Sequence, residues 1–145
     1  MKTEETADSA ASRSAETKKW IKDVEILYKT LIKKYLDSYV QINNAIYKIT
    51  TTYIDDRHWG GPYQIDTIQL NMLNYKFEFL PHKHGVGTKD QVIYISKNTK
   101  RNEFDAIKLQ MHGATWMISV SREDKHWKTL TKESFDEAFD FLINC

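Results

Sequence analysis

Between Glu16 and Val40 the chain carries an uninterrupted apolar stripe that only a helix can organise. Trp20, Ile21, Val24, Leu27, Tyr28, Leu31, Ile32, Tyr35, Leu36, Tyr39 and Val40 recur at steps of three and four, the period of one helix face. Lys22, Asp23, Glu25, Lys29, Lys33 and Lys34 occupy the other side, and neither Pro nor Gly interrupts the run. A face this wide has to be buried. The layer logic of domains assigns it a sheet to cover. Its alternative use is contact with a second chain, so a homodimer through this N-terminal helix is the oligomer the stripe suggests. Asn43-Asn44 is the expected stop.

The rest of the chain up to about Ser121 reads as strands. Tyr47 to Ile54 is rich in Ile, Thr and Tyr, residues that suit a pleated surface. Gln64 to Met72 follows. Tyr75, Phe77 and Phe79 then alternate with Lys76 and Glu78. Gln91 to Ser96, Asp105 to Met111 and Thr115 to Ser121 complete a set of about six. Short connections at Leu73-Asn74 and His112-Gly113 imply an antiparallel meander, because parallel strands need long crossovers. A shorter helix closes the chain. Thr131 is its N-cap, Leu130 and Phe135 have hydrophobic-staple spacing, and Phe135, Ala138, Phe139, Leu142 and Ile143 form its apolar face. The expected fold is therefore α+β: an antiparallel meander flanked by a long N-terminal and a shorter C-terminal helix, one domain over 16–145. Residues 1–15, rich in Ala, Ser, Thr and Glu, read as a flexible tail or a frayed helical extension.

Composition narrows the function classes. The 145 residues are 41% hydrophobic and 28% charged, as in a globular protein that buries a core. The formal net charge is +1, which gives no general argument for nucleic acid or for an anionic membrane surface. No apolar run approaches the ~20 residues of a membrane helix, and the polar start does not resemble a secretory signal. The lone cysteine, Cys145, permits neither an internal disulfide nor a zinc site with two or more cysteines. The expected setting is the cytoplasm, in a bacterial or phage system, and no cofactor is expected.

Two loops concentrate the residues able to carry chemistry. The first is Asp55-Asp56-Arg57-His58-Trp59-Gly60-Gly61-Pro62. Its Arg57 and Trp59, with Tyr63 just beyond, are of the types that anchor protein interfaces, and His58 lies between the first two. The second, Pro81 to Asp90, holds His82 and His84, an H-x-H pair able to chelate a metal from one side of an extended strand. Neither loop opens a helix or has the spacing of a phosphate-binding loop. Lys97, Lys100, Arg101 and Lys108 cluster around one hairpin, but Glu103 and Asp105 are interleaved, as at a solvated tip.

Helix–meander–helix order is similar to that of several groups of small partner-binding proteins, among them immunity proteins, secretion chaperones and accessory subunits. The resemblance is of architecture alone and carries over no functional residue. The sequence contains no H-E-x-x-H, no G-x-S-x-G and no dinucleotide-binding glycine pattern. The expectation is a non-enzymatic protein with a protein partner: an inhibitor, an immunity protein or an accessory subunit. Arg57, His58, Trp59 and Tyr63 are its expected contacts. The competing expectation is a small metal-dependent phosphoesterase or nuclease using His58, His82 and His84, with Asp56 assisting.

Overall fold

The computed structural model describes residues 2–54, 62–82, 91–97, 106–120 and 127–144, with side chains at all of these except 2–14, 82 and 120. Helix α1 (Lys2–Leu27) passes through a π-helical segment (Tyr28–Ile32) into α2 (Lys33–Asn43). Seven strands follow: β1 (Ile46–Ile54), β2 (Tyr63–Met72), β3 (Tyr75–His82), β4 (Val92–Lys97), β5 (Ile107–His112), β6 (Thr115–Val120) and β7 (Trp127–Thr129). Helix α3 (Lys132–Ile143) ends the order. Every neighbouring pair of strands is antiparallel, and spatial order equals chain order from β1 to β7. The α+β meander with two flanking helical elements is the expected architecture. It has one strand more than expected, because β7 is three residues long, too short for alternation to show. No described helix is long and apolar enough to cross a membrane.

The apolar stripe is used inside the chain. Trp20, Val24, Leu27, Tyr28, Ile32, Leu36 and Tyr39 are buried in one cluster with Phe77 and Phe79 of β3, Ile93 and Ile95 of β4, and Ile107 and Leu109 of β5. Trp20 packs on Trp116 of β6 and Tyr28 edge-on to Phe79. The π segment has a cause in the pattern. From Trp20 to Tyr39 the buried face spans one residue more than five turns at ~3.6 residues per turn would hold. A single π turn absorbs that residue and keeps the stripe on the sheet. At its entry the Thr30 hydroxyl donates to the Ile26 carbonyl at 2.6 Å.

Both helix ends follow local chemistry. Asn44 takes the left-handed conformation (φ 52°), with its N–H and that of Ala45 donating to the Tyr39 carbonyl. This is the C-terminal stop for which Asn is suited. Thr131 caps α3: its hydroxyl accepts from the Ser134 N–H at 3.1 Å, and the Ser134 hydroxyl accepts from the Thr131 N–H at 2.8 Å. Serine here does the work usually given to Glu or Gln in a capping box.

Two departures from the expected strands have physical reasons. β3 continues through Pro81 to His82, where the sequence suggested a loop. Its pairing with β2 stops at Phe79, whereas its pairing with β4 runs on to His82. Pro81 thus sits where the strand has lost one neighbour, the setting that tolerates a missing N–H. In β2 the buried positions run Tyr63, Ile65, Thr67 and then Ile68, Leu70, Met72. The phase changes where β3 pairing begins, so the outer half of the β1–β2 hairpin is a two-stranded ribbon. At that break the Thr67 hydroxyl lies 2.9 Å from that of Thr52 and 3.1 Å from the Thr50 carbonyl.

Candidate functional site

One surface feature of the described residues is a corner where α2 ends, β1 begins and the β2–β3 hairpin turns. Asn43 and Asn44 reverse the chain, and the Asn43 amide reaches the Met72 sulfur at 3.7 Å, tying the helix end to the hairpin. Tyr47 fixes the start of β1 by donating to Asp37 of α2 at 2.6 Å. Burial first, and then that carboxylate, push the Tyr47 phenol up to about 12. Between these parts lies an open groove of about 480 Å³ whose walls include Asn43, Asn44, Asn71 and Asn74 together with Ile46 and Leu73.

The rim is apolar and exposed. Of the groove's lining residues Ile46 is 71% exposed and Leu73 50%; Ile42, 76% exposed, comes just before the lining on α2. Scattered exposed aliphatics are ordinary; several close together form the kind of surface that another molecule can cover. The polar groups of the lining are four neutral amides, which donate and accept hydrogen bonds without changing protonation, together with Tyr75 and Lys76. Such a lining suits the alternating N–H and C=O groups of a polypeptide, with the aliphatic rim left to take side chains.

The hairpin tip adds a feature that folding alone does not favour. Leu73 and Asn74 both have positive φ, 53° and 66°, the type I′ pattern of a two-residue hairpin. That turn favours Asn or Gly at its first position, and a leucine there carries backbone strain of about 1 kcal/mol or more. The other tight turn shows the ordinary solution, Gly113 at φ 66°. At Leu73 the strain holds a leucine in water at the lip of the groove.

The residues singled out from the sequence fall as follows. Asp56, Arg57, His58, Trp59 and His84 lie outside the described residues, as do Lys100 and Arg101. His82 ends β3 opposite Val92, and its side chain is not among those described. Tyr63 opens β2, is 8% exposed and packs into the core. His112 ends β5, with its ring 4.9 Å from that of Trp127 and its Nε2 3.0 Å from Gln110 Oε1. Among the described residues no three of His, Cys, Asp or Glu converge to hold a metal. Lys97 is corrected from a solvated tip residue to a buried one. At 2% exposure it donates to the Ile143 carbonyl at 3.2 Å and lies over the Tyr75 ring, a cation at the negative end of α3.

Sequence reasoning missed the corner. Its one available signal was a Leu-Asn pair at a hairpin turn flanked by alternating strands, where Asn-Gly is the common choice. The chain was compared with family models, curated proteins and solved structures, and matches none of them. Fold and surface define a class: a small α+β meander with helices on one face and an exposed apolar corner at the end of its sheet.

Proposed function

We propose that this chain is a non-enzymatic protein that acts by binding a protein partner at the α2–β1 corner, as an inhibitor, immunity protein or accessory subunit does. The observation that carries the reading is Leu73. Both its backbone conformation and its exposure lower the stability of the free chain, and a partner that covers the side chain recovers the second of these. Ile42 and Ile46 extend the apolar contact, and the four asparagines fix the register of the partner's backbone. Arg57, His58 and Trp59 remain proposed contacts of the same partner.

Leu73→Asn separates folding from binding. Asparagine adopts left-handed φ at little cost, so the variant gains about 1 kcal/mol, read as a higher urea midpoint. In a tagged pull-down from the native host, wild type recovers a stoichiometric partner by size exclusion and mass spectrometry. The variant loses at least about tenfold in affinity for it, the effect of truncating a central apolar anchor. A partner bound equally well by both chains would remove the corner from the proposal. Recovery of the chain with nothing but itself would oppose a partner-binding function, and metal content and phosphodiester cleavage would be assayed next.

A further inference from the structure

β1 is unusual for an edge strand. It is nine residues long, and among the described strands it has a neighbour on one side only. It has no Pro or Gly, and Lys48 is its single charge. Natural edges are normally short, charged or bulged, because an open row of N–H and C=O groups invites another strand. The opposite edge, β7, meets that rule with three residues. β1 does not, and it exposes Ile46, Ile49 and Tyr53 along its length.

The sequence of β1 names the strand that fits it. Ile46-Tyr47-Lys48-Ile49-Thr50-Thr51-Thr52-Tyr53-Ile54 is nearly the same read in either direction about Thr50. Laid antiparallel on a second copy with Thr50 opposite Thr50, Ile46 meets Ile54 and Tyr47 meets Tyr53. Lys48 meets Thr52, so no like charges face each other. The burial of the free chain is complementary in the same register. Ile46 is 71% and Tyr53 61% exposed, whereas Tyr47 and Ile54 are partly buried against the core. Exposed Ile46 and Tyr53 would therefore each lie beside a residue of their own type already packed in the other copy, while Ile49 meets the exposed Thr51. Directly opposed β-branched and aromatic pairs are the stabilising unit of a sheet.

We propose that β1 is a homodimerisation edge, pairing antiparallel with β1 of a second copy about a two-fold axis at Thr50. The two sheets join into one, with the helices of both copies on the same side. Assembly stops at two, because the pairing consumes both long edges and leaves only the short β7 at each end. This goes beyond the corner proposal and shares only Ile46 with it, and purified chain without any partner tests it separately.

The test is sedimentation equilibrium of the full chain, kept reduced so that Cys145 cannot cross-link it. Wild type sediments as a dimer. Thr50 is exposed, so Thr50→Lys and Thr50→Glu leave the monomer folded, as circular dichroism verifies. Each places two like charges directly across the axis, weakening association by about tenfold or more, and added salt partly restores it. Mixing the two variants puts Lys opposite Glu and yields a heterodimer. A monomeric wild type, or a dimer that Thr50→Lys leaves equally tight, would overturn the proposal. So would a mixture of the two variants that fails to associate.

Discussion

Replacing Phe135 with alanine is expected to remove about 3–5 kcal/mol of stability, the range for deleting a fully buried aromatic ring, from a total that for such domains is about 5–15 kcal/mol. Phe135 is 0% exposed. Its ring centre lies 5.0 Å from that of Tyr35, 6.0 Å from Tyr39, 6.4 Å from Phe79 and 4.8 Å from Phe139. Those neighbours come from α2, β3 and α3, so one ring joins both helical elements to the sheet. The cavity left behind cannot close by one side chain moving, because its walls belong to three separately anchored elements. Phe141, on the same helix but 39% exposed, is the control: Phe141→Ala costs about 1 kcal/mol or less. Urea unfolding of the three chains measures both. Equal losses at the two positions would refute the view that α3 is held chiefly through Phe135.

What the sequence made readable was whatever local periodicity or local turn chemistry decides. The Trp20–Tyr39 stripe, the Asn44 stop, the Thr131 cap and the turns at 73–74 and 113 each depend on residues within a few positions of one another. What it hid depends on pairing between distant segments. β7 exists because Trp127 to Thr129 meets Met117 to Ser119, which no feature of three residues announces. Pro81 looks like a strand breaker until the end of β2 pairing at Phe79 is known. Lys97 reads as a solvated cation by type, yet the alternation Ile93, Ile95, Lys97 puts it on the core face. The candidate surfaces were harder still. Loop residues rich in His, Asp and Trp draw attention by chemical type. An exposed leucine at positive φ, or an edge strand that fits itself, becomes visible only when backbone angles, burial and strand order are combined.

Raising the pH above 10 is expected to destabilise this protein steeply, through tyrosines that the fold keeps neutral. Tyr28 is raised well above its ordinary value of 10.0, first by burial and then by the charge of Asp66. Tyr39 is raised by burial, by its 2.6 Å hydrogen bond to Asp136 and by the charges of Asp136 and Asp140. In the unfolded chain both ionise near 10. The native state therefore holds more protons than the unfolded state above that pH, and stability falls as pH rises. Their contribution is complete below pH 10. Each of these two buried phenols then removes about 1.4 kcal/mol per pH unit, and Tyr47 adds to the slope until its own value of about 12 is reached. Two substitutions separate the mechanism from ordinary loss of packing. The Tyr28 hydroxyl is buried and has no hydrogen-bond partner among the described residues, so Tyr28→Phe removes an unsatisfied group and raises stability at pH 7 by about 1 kcal/mol. Tyr39→Phe breaks a bond to a carboxylate and lowers stability at pH 7 by about 1.5–3 kcal/mol. Opposite in sign at neutral pH, both variants flatten the alkaline slope by the same single-proton increment. Urea midpoints between pH 8 and about 11.5 measure it. A wild-type curve that stays level through that window, or variants that shift it without changing its slope, would rule out these phenols as its cause.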